Sequence, residues 1–193
     1  MNPHWYSLKV CGFLPSSIEQ AGPDARNVIA DWQKAHGLQP DGEIGPKTAD
    51  AMHFDALARG CKIPFTESEY LQGNAMPSEY APNLRATMRM SCVLRQDVFG
   101  GVPVKICGDG GFRPADHDDK PGQANYSQHK LAKAADHKPV VKGSGTDPRT
   151  WYAKIREMMA DGRLVQGGCK VYNLDSDEGP FAHCDWRGYP ASW

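Results

Sequence analysis

The sequence lacks the features that mark several large classes of proteins. No apolar run approaches the ~20 residues that a membrane-spanning helix needs, so membrane insertion is not expected. Basic residues form no stripe and the net charge is −1, which argues against a nucleic-acid partner. The opening residues, 1–6, lack the basic start and apolar stretch of a secretory signal, so we expect synthesis in the cytoplasm without a signal peptide.

Cysteine pairs of the C-x-x-C type are also missing, which disfavours a zinc ribbon or a dithiol redox motif. Cys92 and Cys107 lie among apolar residues and are interpreted as small hydrophobic side chains. Cys169 and Cys184 lie on two segments that could pair as antiparallel strands, so a disulfide between them stays open. No cysteine is set beside a recognisable base, which disfavours a cysteine-based hydrolase.

The pattern of apolar residues, glycines and prolines over residues 1–60 predicts a small helical unit. A helical pattern opens near Pro23 and closes at Gly37, a residue that often ends helices. After a turn at 41–42, Pro46 occupies the first position of a second helix. The inward-facing positions of the two helices are apolar: Val28, Ile29, Trp32, Ala49 and Met52.

The order of helical and strand patterns in the rest of the chain predicts an α+β domain. Prolines and glycines break any periodicity over 61–78, which we interpret as a linker before a domain at 79–193. Two helices and four short strands follow from the spacing of apolar residues. The helices are expected over 82–98 and 147–161, and the strands over 102–107, 133–140, 168–173 and 180–187. This order predicts a small antiparallel sheet with flanking helices.

Three separated polar residues in this second region suggest one metal site. His129 and Asp136 are seven residues apart, which excludes the one-face helical spacing of four found in H-E-x-x-H peptidases. Asp136 follows two alanines in an apolar strand, where an unpaired carboxylate is costly; a cation or a salt bridge would explain it. With His183 the set becomes two imidazoles and one carboxylate, which suits Zn²⁺ and leaves a fourth position for water.

Two stretches resemble known families. The run from Val28 to Ala51, with Trp32-Gln33, Gly37-Leu38 and Asp41-Gly42, resembles the small helical peptidoglycan-binding domain found beside cell-wall hydrolases. That resemblance implies bacterial peptidoglycan as a partner.

Residues 80–193 resemble the zinc D-alanyl-D-alanine carboxypeptidase and L-alanyl-D-glutamate endopeptidase family, to which many phage endolysins belong. The motifs are Gly111-Phe112-Arg113, then the S-x-H-x-x-G-x-A-x-D pattern over 127–136, then the H-x-D-x-R-G run that begins at His183. Ala132 stands where the family usually has glycine, so the local backbone is where the chain departs from the pattern.

The second resemblance implies roles for individual residues. His129, Asp136 and His183 would hold zinc, which polarises the scissile carbonyl and activates water. Arg113 would contact the substrate or the developing oxyanion, and Ser127 belongs to the same substrate-binding motif. For Arg113 the alternative is a structural pairing with the acidic loop that follows it.

The general base is less clearly marked. Asp185 is the first choice because it shares a strand face with His183. Glu178 and Asp177, in the preceding loop, come next. The alternative for Asp185 is that it orients a ligand or pairs with Arg187.

The expected function is therefore that of a monomeric, endolysin-like zinc peptidase that hydrolyses amide bonds in peptidoglycan stem peptides. It would reach the wall by phage-type release from the cytoplasm. L-alanyl-D-glutamate endopeptidase and D-alanyl-D-alanine carboxypeptidase specificity both stay open. The alternative is a zinc-containing wall-binding protein without turnover.

Overall fold

The computed structural model describes residues 1–107, 110–117, 127–140, 146–175 and 179–191. Seven α-helices and four β-strands are found in these ranges. The helices are α1 (Pro3–Val10), α2 (Ser16–Ala21), α3 (Arg26–Ala35), α4 (Pro46–Ala58), α5 (Glu67–Leu71), α6 (Ala81–Val93) and α7 (Pro148–Ala160). The strands are β1 (Val104–Ile106), β2 (Ala134–Pro139), β3 (Cys169–Tyr172) and β4 (Phe181–Asp185).

The strands form one antiparallel sheet in the order β1-β2-β4-β3. Together with the helical unit at residues 1–60, it confirms the predicted α+β class. Strand β2 lies at the centre and pairs with β4 so that Asp136 is opposite His183 and Ala134 is opposite Asp185. Because side chains alternate along a strand, the side chains of Asp136, His183 and Asp185 lie on the same face of the sheet.

The other face of the sheet packs against helices α6 and α7 and forms the core. Its strand residues, Ala135, His137, Ala182 and Cys184, have no exposed surface. His137 is accommodated there because its Nε2 lies 2.7 Å from the Ser91 hydroxyl on α6. Burial lowers the pKa of His137 to about 4, which keeps this core imidazole neutral.

The helical unit at residues 1–60 has its own core, and it also packs against helix α6 of the sheet region. Helices α1 and α4 both pack against α6. Arg85 on α6 forms two hydrogen bonds with Asp50 on α4, of 2.7 and 2.8 Å. Next to it, the buried guanidinium of Arg89 donates to His53 Nδ1 at 3.0 Å. These polar contacts fix the helical unit against the sheet region.

The segment 61–78, predicted as a linker, is packed into the molecule. It contains α5, which starts with a capping box formed by Thr66 and Glu69. Phe65 and Tyr70 are 2% and 0% exposed and belong to the core of the sheet region. The Tyr70 carbonyl accepts a hydrogen bond of 2.7 Å from the Phe112 amide, which joins this segment to the Gly-Phe-Arg motif.

Cys169 and Cys184 face each other across β3 and β4, as the strand prediction requires, and both are free thiols. The helix predicted over 82–98 is α-helical only to Val93 and continues as a π-helical turn over Leu94–Val98. None of the helices in the described part of the chain combines the length and the hydropathy of a transmembrane span.

Candidate metal centre

His129, Asp136 and His183 meet at one point on the open face of the sheet. Their ligand atoms all lie within 4.8 Å of one another. His129 comes from a 3₁₀ turn, Gln128–Leu131, that leads into β2, while the other two lie on β2 and β4 as direct neighbours. Sheet pairing brings Asp136 and His183 together and the turn before β2 adds His129, so two nitrogens and one oxygen could hold a metal ion.

His129 is oriented by the backbone. Its Nδ1 lies 2.7 Å from the Gly111 carbonyl oxygen, and a carbonyl can only accept, so Nδ1 carries the hydrogen. The Nε2 lone pair then points into the site, 3.2 Å from His183 Nδ1 and 3.7 Å from Asp136 Oδ1. Burial lowers the pKa of His129 to about 4, so the ring stays in the neutral form that a metal ligand requires.

His183 lies between two carboxylates. Its Nδ1 is 2.7 Å from Asp136 Oδ1, and its Nε2 is 3.9 Å from Asp185 Oδ2. Burial by itself would lower the pKa of His183, but the hydrogen bond to Asp136 and the nearby carboxylate of Asp185 raise it to about 9. Burial would raise the pKa of Asp136, but the hydrogen bond from His183 and the nearby His129 and Arg113 keep it below its usual value. The two carboxylates thus stabilise positive charge at this place.

The Gly110–Arg113 segment closes one side of the site. A Cβ atom at Gly110 would lie 2.5 Å from the Asp136 Cβ, and one at Gly111 would lie 2.0 Å from the Tyr70 carbonyl oxygen. Only glycine allows the backbone to approach this closely. The segment ends with Arg113 Nη2 at 3.9 Å from Asp136 Oδ2, so the guanidinium borders the triad.

Asp185 lies on the far side of the His183 ring from Asp136. It has no exposed surface, and its two oxygens accept hydrogen bonds of 2.8 Å from Arg187 Nε and Nη2. Although burial would raise the pKa of Asp185, its contacts with His183 and Arg187 lower it to about 2. This geometry suits the orientation of His183 through Nε2, the alternative role considered for Asp185, better than contact with a substrate.

The other residues named from the sequence are less closely tied to the triad. Ser127 starts the turn that carries His129, and its side chain does not cap that turn. Glu178 and Asp177 lie outside the described residues. Ala132 ends the turn in a left-handed conformation, with φ 54° and ψ 29°, and its carbonyl accepts a 2.8 Å hydrogen bond from Thr87. The glycine usual at this position would adopt that conformation without strain.

Sequence reasoning missed two contributors to the site. The Gly111 carbonyl fixes the tautomer of His129, and Tyr70 anchors the loop that presents this carbonyl. The pair Gly110-Gly111 ahead of Phe112 was the available signal, because two adjacent glycines often mark a close backbone approach. Nothing in the sequence pointed to Tyr70, an isolated aromatic residue in a segment without periodicity.

Comparison with known proteins finds a family match for the N-terminal part of the chain. Residues 6–52 match the family described as "Putative peptidoglycan binding domain". No curated protein and no solved structure matches the chain. The match covers α2 and α3 and parts of α1 and α4, and it includes Val28–Ala51, the run in which the sequence resemblance was found. The N-terminal helical unit is therefore a peptidoglycan-binding domain, and it is joined to a sheet region that carries a His–Asp–His triad suited to a metal ion.

Proposed function

We propose that the protein is a zinc-dependent peptidase that hydrolyses amide bonds in peptidoglycan stem peptides, in the manner of an endolysin. The observation that carries this proposal is the convergence of His129, Asp136 and His183 within 4.8 Å, in a chain with a peptidoglycan-binding domain. The binding domain supplies the substrate class, and the triad supplies a place for the chemistry.

The donor set favours zinc over calcium and magnesium. Two imidazole nitrogens and one carboxylate match a catalytic zinc site with three protein ligands, whereas Ca²⁺ and Mg²⁺ prefer oxygen ligands alone. Bound there, zinc would act as a Lewis acid on the scissile carbonyl and lower the pKa of the attacking water. Burial of His129 and Asp136, at 3% and 8% exposure, limits competition from solvent.

The protein's own groups would orient the ligands and the substrate. The Gly111 carbonyl holds the His129 ring through a hydrogen bond, and Asp185, itself fixed by Arg187, would orient the His183 ring from 3.9 Å through its charge. Arg113 is 22% exposed in its side chain, so its guanidinium can reach a substrate carboxylate or the developing oxyanion. Stem peptides carry such carboxylates, and a guanidinium binds them through two parallel hydrogen bonds.

The burial of Asp185 leaves the proton-accepting role to other groups in this proposal. Asp177 and Glu178 belong to the connection between β3 and β4, and their carboxylates are the next candidates. A base within hydrogen-bond reach of the attacking water would take its proton and pass it to the leaving amine. Glu178→Gln and Asp177→Asn, compared in turnover and in zinc content, would identify it: the base variant loses turnover and keeps the metal.

The decisive experiment digests purified peptidoglycan with the zinc-loaded protein and identifies new termini by mass spectrometry. A new free amine on D-glutamate indicates endopeptidase activity, and release of D-alanine alone indicates carboxypeptidase activity. Asp136→Asn should abolish both cleavage and zinc binding. The control is Asp175→Asn, an exposed carboxylate with 88% side-chain exposure, which should behave as wild type. Equal cleavage by wild type and Asp136→Asn would contradict zinc catalysis.

A second candidate is a metal-containing wall-binding protein without turnover. The complete burial of Asp185 and its pairing with Arg187 favour it, since these contacts remove one candidate base from the substrate side. This candidate predicts that the wild-type protein sediments with peptidoglycan and generates no new termini at any metal load. For the first candidate we further propose that the enzyme acts on the wall after release from the cytoplasm, as phage lytic enzymes do.

A further inference from the structure

The open face of the sheet continues beyond the metal triad. Because side chains alternate along each strand, residues two positions from Asp136 and His183 project from the same face as the triad. With their cross-strand partners they form a second row, to which each strand contributes one side chain. The row consists of Lys105 on β1, Lys138 on β2, Phe181 on β4 and Tyr172 on β3. Lys105 is exposed and the other three are half-buried, so a ligand at the triad can also contact the row.

The two lysines of this row lie directly opposite each other. Lys105 pairs with Lys138 across β1 and β2, and paired side chains of an antiparallel ladder lie on one face with their Cβ atoms about 5 Å apart. Like charges in such positions destabilise a sheet, so the pair gains from an anion between the two ammonium groups. Lys170, opposite His183 on β3, adds a third ammonium group to this face. The surface beside the triad is therefore suited to a carboxylate.

Two aromatic rings complete the row on the side of β4 and β3. Tyr172 and Phe181 stack with their ring centroids 5.1 Å apart and their planes at 18°. The Lys170 ammonium lies 5.2 Å from the centroid of the Tyr172 ring, so it borders the aromatic pair. Half-buried rings offer a rigid apolar surface to a ligand. A ligand that fits the whole row therefore combines an aliphatic chain with a carboxylate at its end.

The distance between the triad and the row corresponds to a position in the substrate. Two residues along a strand span about 7 Å, which is also the length of two residues in an extended peptide. In a peptidoglycan stem peptide the third residue is a diamino acid. It lies two positions after the L-alanyl-D-glutamate bond and two positions before the D-alanyl-D-alanine bond. With either bond at the triad, an extended stem peptide along the strands would place its third residue over the row.

We propose that the row of Lys105, Lys138, Phe181 and Tyr172 is a substrate subsite that selects stem peptides with a side-chain carboxylate on the third residue, as in diaminopimelate. The aliphatic chain of that residue lies on the aromatic pair, and the two ammonium groups bind its terminal carboxylate. A stem peptide with lysine at this position brings an ammonium group instead, which the two lysines repel. The inference rests on the proposed peptidase function and adds the substrate chemistry of the same site.

The test compares stem pentapeptides that differ only at the third residue, which is meso-diaminopimelate, its side-chain carboxamide or lysine. The full-length, zinc-loaded protein should cleave the dicarboxylate peptide with a kcat/KM about 3- to 10-fold above that of the carboxamide, the range of one or two partly exposed ion pairs. The lysine peptide should be the poorest substrate. The preference should shrink in concentrated salt, which screens such contacts.

Two variants locate the preference on the protein. The double variant Lys105→Gln/Lys138→Gln should lose it, whereas Lys34→Gln, at an exposed position in the helical unit, should retain it. Since the double variant removes two facing like charges, its melting temperature should equal or exceed that of wild type, which separates loss of recognition from loss of folding. Isothermal titration with analogues N-methylated at both candidate scissile amides repeats the comparison without turnover.

The outcomes separate this inference from the peptidase proposal. Equal cleavage of the dicarboxylate and carboxamide peptides would overturn the subsite and support the peptidase. A preference that survives in Lys105→Gln/Lys138→Gln would also overturn the subsite. If no peptide is cleaved but the dicarboxylate analogue binds more tightly, and the double variant loses this difference, the subsite is supported and the peptidase is contradicted. Equal binding of both analogues without cleavage would contradict both.

Discussion

The helical unit and the sheet region each bury a polar cluster, and the two clusters differ in how their hydrogen bonds are satisfied. In the helical unit, the two hydrogens of Gln33 Nε2 are shared among Asp41 Oδ1, Thr48 Oγ1 and the Glu43 carbonyl oxygen, which lie at 2.8 to 3.0 Å, and Gln33 Oε1 accepts from the Gly42 amide at 2.9 Å. Every partner lies within 15 residues of Gln33 in the sequence. Gln33 therefore fixes the connection between α3 and α4.

The cluster in the sheet region is assembled from remote segments, and its groups face one another. His129 and His183 are 54 residues apart, and the Nε2 lone pair of one ring points at the other ring and at an Asp136 oxygen. His183 Nδ1 lies within 3.2 Å of both His129 Nε2 and Asp136 Oδ1, so one hydrogen there would face two acceptors at once. Three ligand atoms that face one another in a buried place would gain from a cation between them, whereas Gln33 supplies its own hydrogens to neighbouring acceptors and so holds the chain around it. The Gln33 cluster therefore stabilises the fold, whereas the His–Asp–His cluster has the arrangement of a candidate binding site.

The largest effect is expected from Gln33→Ala. This change removes the Gln33 side-chain amide from its four hydrogen-bond partners and leaves buried groups such as the Gly42 amide unsatisfied, so the free energy of unfolding should fall by about 2–4 kcal/mol. Denaturant unfolding measures the loss. Gln39→Ala, at an exposed position a few residues away, should cost less than about 0.5 kcal/mol. Equal losses for the two variants would remove the structural role assigned to Gln33.

Asp185→Asn should weaken metal binding by about 10- to 100-fold, the usual result of removing a partner that orients a ligand. The asparagine side chain retains the volume of the carboxylate but removes the charge that Arg187 and His183 contact. Isothermal titration with zinc measures the affinity. If Asp185 were the general base instead, this variant would keep its zinc affinity and lose turnover alone, so the two roles give opposite patterns.

A pH effect is expected at the junction between the regions. His53 Nδ1 accepts from Arg89, and burial together with the charges of Arg89 and Arg85 lowers the pKa of His53 to about 4. Because the unfolded state binds this proton first, the free energy of unfolding should fall as pH decreases from about 6.5 to 4. His53→Asn keeps an acceptor near the Nδ1 position but cannot be protonated. Its proton uptake on unfolding near pH 5.5 should be lower than that of wild type by up to about one proton.

That difference is obtained from unfolding free energies measured at a series of pH values. His4, whose pKa burial also lowers to about 4, is unchanged in the variant and serves as an internal reference. Identical pH slopes for wild type and His53→Asn would show that the junction does not hold His53 in its neutral form.

The smallest effect is expected from Ala132→Gly. Relief of the left-handed conformation should contribute about 1 kcal/mol, but loss of the 2% exposed methyl group costs about 0.8 kcal/mol, so the net change stays below about 1 kcal/mol. The companion variant is Gly42→Ala in the helical unit. There φ is 72° and a Cβ atom would lie 2.8 Å from the Arg26 carbonyl oxygen, so this variant should lose clearly more stability. Chemical denaturation of both proteins measures the contrast.

Much of the fold could be predicted because its signals are local. The four strands and helices α3, α4, α6 and α7 follow from the spacing of apolar residues and from prolines at helix starts. Helix α1 was missed although Asn2 caps it and Pro3 follows, and α5 was missed although Thr66 and Glu69 form a capping box. Both helices are short, so capping is a better guide to them than periodicity.

The candidate site could be predicted only at the level of its ligands. His129, Asp136 and His183 were found from their motif, and strand alternation placed Asp136 and His183 on one face. The same alternation made Asp185 a candidate base, but it carries no information on depth. Whether a carboxylate faces solvent or Arg187 depends on the packing of β4 against its neighbours, which sequence spacing does not encode.

Because Asp136 pairs directly with His183, the triad can form only when β2 and β4 pair in the correct register. If β2 slipped by one residue against β4, the aspartate would turn inward and His137 would appear in its place. Molecules with the shifted register would then lose the carboxylate ligand, so under the proposed zinc role the zinc bound by a refolded sample would measure the fraction of molecules with the correct register. Ion loading would in this way serve as a quality assay for recombinant material.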